Sequence, residues 1–243
     1  MDSSSQIRLT IDTATATISH ITQSQWRFPV QKLALIIIAI VVSLVAGCSK
    51  TAGIDATIIA LGGEVTLNGA KPSLGSKIAF GDAIETGEKS FCEIVVKDKN
   101  VFRMGASTRL VFRVSADSNI LQLDRGWFAG ITRKLFTKQQ RYLVKTPTVT
   151  AGVRGTSYCI KVEKPESTYF CVCNGTIDLA ENNAQPGELV TAAHHMGRRF
   201  SREKDGRIAI DKNPGMLYHD DVGLEALAKK IDETIDWTKP DEK

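Results

Sequence analysis

From Ile54 to Arg199 the chain runs in short stretches of alternating apolar and polar residues, divided by Gly, Asp and Asn. Side chains alternate across a strand, so a period of two marks strands with one buried face. The spacing predicts an all-β body, a sandwich or roll of short antiparallel strands. Its predicted inward residues are Ile58, Val65, Leu67, Ile78, Ile84, Ile94, Val96, Leu110, Phe112, Leu121, Leu123, Ile160, Val162, Phe170 and Val172, with Trp127 and Phe128 anchoring the core.

Two segments break this period. Leu224, Leu227, Ile231 and Ile235 recur at helical spacing, which predicts an amphipathic helix over residues 217–237. Asp220 or Asp221 can cap its start, and Pro240 closes it. The helix is expected to pack on the β body, with docking to a partner as the alternative. At the other end, Leu33–Ala46 is an apolar run of fourteen residues interrupted only by Ser43 and preceded by Arg27 and Lys32. A bilayer-spanning helix needs about 20 apolar residues, so residues 33–47 suit the hydrophobic region of an export signal. The run ends in Val45-Ala46-Gly47-Cys48, which resembles a bacterial lipobox. That resemblance implies cleavage before Cys48 and lipid on its thiol, and Ser49 after it favours the outer membrane. The rival is an uncleaved anchor with Arg27 and Lys32 in the cytoplasm. Either way the body lies outside the cytoplasm. Residues 1–32 are polar, aperiodic and expected to be disordered.

Residues 146–162 carry the most specific pattern, Thr-Pro-Thr-Val-Thr-Ala-Gly-Val-Arg-Gly-Thr-Ser-Tyr-Cys-Ile-Lys-Val. Pro147 lacks a backbone donor, so strand pairing should stop or shift there. Gly152 and Gly155 bracket Val153 and Arg154 and permit a tight turn or bulge before Thr156. Tyr158, Ile160 and Val162 then share one strand face, and Cys159 and Lys161 the other. This pattern resembles the signature of the FecR domain, an extracytoplasmic all-β module of bacterial envelopes. Five further stretches resemble the family in its order: Leu61–Val65, Leu74–Gly87, Ser107–Leu110, Leu121–Trp127 and Cys173–Ile177. The resemblance covers roughly Ile54 to Arg198, within an expected FecR-like β domain of residues 54–200. It implies a non-catalytic role in envelope signalling. Such relatives usually carry a cytoplasmic helical region that binds a sigma factor. Residues 1–32 show no helical apolar stripe, so binding of a protein or glycan partner in the envelope is the better expectation.

The cysteines are the main candidate chemistry. With Cys48 lipidated, Cys92, Cys159, Cys171 and Cys173 remain, and an oxidising compartment favours disulfides. Cys171 and Cys173 share one face of one strand, about 6.5–7 Å apart at Cα, too far for a bond between them. The apolar pattern sets Cys159 across from Cys171 or Cys173, close enough for a cross-strand disulfide. His194 and His195 fall on the next expected strand, where alternation aims one of them at the thiols. Cys159, Cys171, Cys173 and one histidine are therefore alternatively a metal set, suited to zinc or copper, or a haem or redox group. Cys92 reads as a small core residue. Met196 is a weak addition.

Composition adds exclusions. The net charge of +4 is small and dispersed, which argues against nucleic acid. Arg133-Lys134 and Arg198-Arg199 read as solvated strand ends. There is no phosphate loop, nucleophile elbow or HExxH motif, so no enzymatic activity is expected. Two functions remain: an envelope-anchored binding or signalling module, and a metal-, haem- or redox-handling lipoprotein.

Overall fold

The computed structural model describes residues 55–97, 99–114, 119–133, 142–153, 155–181 and 187–240, all within the compact unit Lys50–Lys243. Residues 1–54, with Cys48, lie outside them, as does Arg154. Among the described residues no helix is long and apolar enough to cross a membrane.

The strands in chain order are β1 (Ala56–Gly62), β2 (Val65–Leu67), β3 (Lys77–Ile78), β4 (Ala83–Thr86), β5 (Phe91–Val96), β6 (Asn100–Met104), β7 (Arg109–Val114) and β8 (Asn119–Thr132). There follow β9 (Tyr142–Lys145), β10 (Val149–Val153), β11 (Ser157–Lys164), β12 (Ser167–Glu181), β13 (Glu188–Ala192), β14 (Met196–Arg202) and β15 (Ile208–Asp211). One sheet runs β3-β1-β5-β6-β8-β11-β12-β14-β15. The other runs β2-β4-β7-β8-β9-β10-β12-β13. Every pairing is antiparallel except β8 with β9. The protein is thus all-β, as the alternation predicts.

The two long strands, β8 and β12, belong to both sheets. β8 pairs with β7 through Arg125 and with β11 from Gly126 onward. β12 pairs with β11 through Asn174 and with β13 from Gly175 onward. Each corner is a glycine with positive φ, 94° at Gly126 and 112° at Gly175. A Cβ would lie 2.4 Å from the Thr108 Cα at the first corner and 2.8 Å from the Gly155 carbonyl oxygen at the second. Only glycine meets both demands.

A threonine fastens each corner. Thr108 Oγ1 accepts from Trp127 N at 2.9 Å and lies 3.1 Å from its carbonyl. Thr156 Oγ1 donates to the Thr176 carbonyl at 2.9 Å. Behind them Thr86 exchanges bonds with Thr108, and Thr132 with Thr156. The signature threonine is therefore a corner clamp, and the same device occurs earlier in the chain at Thr108. Pro147 interrupts pairing as expected: β9 ends at Lys145, β10 begins at Val149, and the Thr146 N–H closes the turn onto the Val149 carbonyl. Gly152 lies inside β10, so the break falls after Val153, with Gly155 at φ 64°.

The inner faces form the main core. All predicted inward residues are buried there except Leu67, which packs against it partly buried. An aromatic stack runs through it, Phe102 on Phe128 at 5.3 Å and Tyr158 on Phe170 at 6.0 Å. Trp127 departs from expectation. Alternation turns it to the outer face of the first sheet, while Phe128 enters the core.

That outer face is covered by the C-terminal segment. Helix α1 spans Asp221–Ala228, and a 3-10 turn continues to Ile231. Asp220 caps it, accepting from Gly223 N at 2.7 Å. The helix is shorter than the predicted 217–237 because Asp232 adopts a left-handed conformation (φ 54°) and ends it. Leu224, Leu227, Ala228 and Ile231 pack on Val101, Ala129, Ile131, Cys159, Tyr169 and Cys171.

Candidate functional site

Register sets up the thiol face. Cys159 on β11 sits directly opposite Cys171 on β12. Phe170 and Val172 point into the core, so Cys171 and Cys173 point out beneath the C-terminal segment. All three are fully buried. The cross-strand disulfide is not formed: Cys92, Cys159, Cys171 and Cys173 are free thiols. The Cys171 and Cys173 sulfurs turn to histidines instead. Cys92 lies in the core on β5, and burial, then the Glu93 charge, push its thiol up to about 12.

Both predicted histidines lie in the turn between β13 and β14 rather than on a strand. His195 adopts φ 45°, and its N–H donates to the Cys173 carbonyl at 3.0 Å. This left-handed turn, not strand alternation, aims its ring at the thiols. Its Nδ1 lies 3.6 Å from Cys171 Sγ, and the ring is only 7% exposed. His194 points outward, 51% exposed, with Nε2 3.0 Å from Asp221 Oδ2. Met196 is partly exposed and meets the Arg198 guanidinium, away from the thiols.

The residue that sequence reasoning missed is His219. It comes from the irregular stretch before α1, and its Nε2 lies 3.3 Å from Cys173 Sγ and 3.1 Å from His195 Nδ1. Cys171, Cys173, His195 and His219 thus hold their donor atoms within 4.8 Å of one another. Cys159 is a neighbour but not part of this set. His194, His195 and Asp221 form a second, more exposed group.

The outer nitrogen of each inner histidine is anchored. His195 Nε2 meets Asp221 Oδ1 at 2.6 Å, and His219 Nδ1 meets the Leu217 carbonyl at 2.6 Å. A carbonyl oxygen can only accept, so His219 Nδ1 carries its proton and Nε2 presents a lone pair to the cluster. The Asp221 carboxylate accepts from His195 Nε2 in the corresponding way, so Nδ1 faces the cluster. Electrostatically the two thiols differ. A hydrogen bond from Cys173 and contacts with His195 and His219 hold Cys171 far below the usual thiol range, against its burial. Burial and the neighbouring Cys171 push Cys173 well above that range. At His195 burial lowers the pKa, but hydrogen bonds to Cys171 and Asp221 outweigh it and raise it.

The segment that carries His219 is tied down on several sides. Tyr169 Oη donates to the Gly215 carbonyl and accepts from Leu217 N. The Asn174 amide faces the carbonyls of Ala193, Asp236 and Lys239. Trp237 lies 5.2 Å from the His195 ring and donates to Glu225. The basic clusters serve the same fastening rather than standing solvated. Arg133 meets Glu233 and the Ile231 carbonyl. Arg198 is buried against Glu188 and the Lys212 carbonyl. Lys134 lies outside the described residues.

Fold and site together define a two-sheet β domain with a clasped C-terminal segment. Residues 82–178, from the β3–β4 turn into the second half of β12, match the FecR protein family. No curated protein matches the chain. Similar solved structures include two crystal structures of a candidate anti-sigma factor from Parabacteroides distasonis ATCC 8503, each at 14% identity and a TM-score of 0.43. The alignment covers 54% of this chain and 59% of that one.

Proposed function

We propose that this protein is a non-catalytic, membrane-tethered envelope module whose FecR domain binds a protein or glycan partner in signalling. The observation that carries this reading is the FecR match over residues 82–178, the part of the chain that builds both corners. It is joined by the apolar run at residues 33–46 and Cys48 behind it. The tether is lipid on Cys48, or the apolar run itself, and the body faces the periplasm. Partner recognition has a physical basis at β13. Among the described residues this strand pairs only with β12, and it carries Leu189, 70% exposed, so its other edge can accept an extended chain.

The test is fractionation of a bacterium expressing the full chain, with metabolic fatty-acid labelling and a photo-crosslinker at Leu189. The expected result is membrane-bound protein, label that Cys48→Ser abolishes, and one reproducible crosslinked species. Membrane-bound protein without label selects the anchor form of the tether. Protein in the cytoplasmic fraction overturns the proposal.

A further inference from the structure

We propose that Cys171, Cys173, His195 and His219 bind one Zn²⁺ ion, and that this ion pins the C-terminal segment to the first sheet. Donor geometry carries this site, independently of the partner reading. Zinc takes thiolate at about 2.3 Å and imidazole at about 2.0–2.1 Å in tetrahedral array, so the donors around one ion stand about 3.4 Å (N to N) and about 3.6 Å (S to N) apart. Here His195 Nδ1 and His219 Nε2 are 3.1 Å apart, Cys171 Sγ lies 3.6 Å from His195 Nδ1, and Cys173 Sγ lies 3.3 Å from His219 Nε2. These three separations match neighbouring corners of one coordination shell, and all four donors lie within 4.8 Å of one another.

Three further features fit a cation. The outer anchors turn His195 Nδ1 and His219 Nε2 toward each other at 3.1 Å, a contact that one bound cation satisfies in place of one shared proton. The anchors themselves, a carboxylate on His195 and a carbonyl on His219, are the outer-shell partners that orient zinc-bound histidines. Two thiolates balance the charge of Zn²⁺, which suits a site where both cysteines are fully buried and His195 nearly so. Cu⁺ on the same ligands leaves a net negative charge buried. The ligands come from β12, the β13–β14 turn and the stretch before α1, so the ion ties three parts of the chain together.

The experiment uses the full-length chain in detergent, reduced and stripped of metal, titrated with Co²⁺ as a visible probe and then with Zn²⁺. We expect one equivalent of Co²⁺ with the intense visible bands of a tetrahedral thiolate site, displaced by one equivalent of Zn²⁺. Cys173→Ser and His219→Ala each weaken Zn²⁺ binding by at least about 100-fold, and Asp221→Asn by about 10–100-fold. His194→Ala, Cys92→Ser and Cys159→Ser keep one equivalent. Because a buried cysteine variant can fail to fold, His219→Ala, in an irregular segment, is the deciding variant. Zinc slows tryptic cleavage after Lys229 and Lys230 in the parent chain and not in His219→Ala. Folded parent protein that binds no zinc at micromolar concentration, binding that survives His219→Ala, or uptake of Cu⁺ with Zn²⁺ left free each overturns the proposal.

Discussion

Gly126 and Gly175 bear the sharpest single-residue demands in the fold, since each combines a left-handed φ with backbone already in contact where a Cβ would go. The two penalties can be separated. Gly69 also has positive φ, 80°, but nothing lies within 4 Å of its missing Cβ. Gly69→Ala should therefore cost only the conformational term, about 1–2 kcal/mol. Gly175→Ala adds overpacking against the Gly155 carbonyl and Thr156 and should cost about 2–4 kcal/mol. Urea denaturation of both variants measures the difference, and equal midpoints would refute the account of the corner. The FecR-like signature has a physical meaning of the same kind. Thr156 clamps the second corner as Thr108 clamps the first, so Thr108→Val, which removes a hydroxyl serving both Trp127 N and its carbonyl, should cost about 1–3 kcal/mol. Spacing alone showed that Gly155-Thr156 sits at a turn. It could not show which distant backbone the hydroxyl reaches, because Thr176 is brought there only by the bend at Gly175.

Among elements, the C-terminal segment is held partly by charge, which makes its docking depend on pH. Glu163 on β11 accepts from Arg199 at 2.9 and 3.0 Å, from Tyr218 at 2.6 Å and from Ser167 at 2.9 Å. Burial opposes its ionisation, but these bonds outweigh it and lower its pKa below the ordinary 4.5. The unfolded carboxyl therefore takes up a proton before the folded one does. The stabilisation is complete well above pH 4.5 and is lost as pH falls through the lower folded value. The side chain is only 16% exposed, and its burial offsets part of what these bonds gain, so the effect is modest. Thermal melts across pH 3–6 (about, by the ordinary carboxyl range) should show a steeper acid loss for the parent than for Glu163→Gln, and parallel curves would remove Glu163 from the clasp. Hydrophobic fastening is the larger part. Leu227 is 3% exposed between α1 and the outer face, and Leu227→Ala should cost about 2–4 kcal/mol and speed proteolysis of the segment. This element also shows where sequence reading reaches its limit. The thiol face was legible because a period of two decides it: Ile160, Phe170 and Val172 inside put Cys159, Cys171 and Cys173 outside. Leu224 and Leu227 likewise announced the buried side of α1. His219 was not legible. It lies 24 residues from His195, in a stretch without period, and docking of the helix, not local pattern, delivers its ring to Cys173. His195 was named for the wrong reason, since a left-handed turn aims it and no strand alternation does.

Across the whole molecule, the sharing of β8 and β12 between the sheets decides how the protein comes apart. In a sandwich of separate strands each sheet can loosen alone. Here Leu121 and Leu123 on the first half of β8 and Phe128 on its second half belong to one core, as do Phe170 and Leu179 on the two halves of β12. Opening either sheet means straightening a corner, breaking the threonine clamps and exposing residues of the common core. The two sheets should therefore unfold as one cooperative unit. The C-terminal segment stands apart from that unit. Its described residues add no strand to either sheet and rest on a separate apolar cluster on the outer face. Native-state hydrogen exchange should find the amides of Leu123, Phe128, Phe170 and Leu179 sharing one opening free energy, equal to that of global unfolding. The amides of α1 should exchange through a smaller opening. That opening should grow on zinc addition if His219 is a ligand, while the four strand amides keep a common value. Distinct opening energies for Leu123 and Phe128 would mean that the bend at Gly126 is a hinge between independent sheets. The cooperative reading of the fold would then fail, though the thiol–histidine cluster, which lies wholly on the first sheet and its covering segment, would stand.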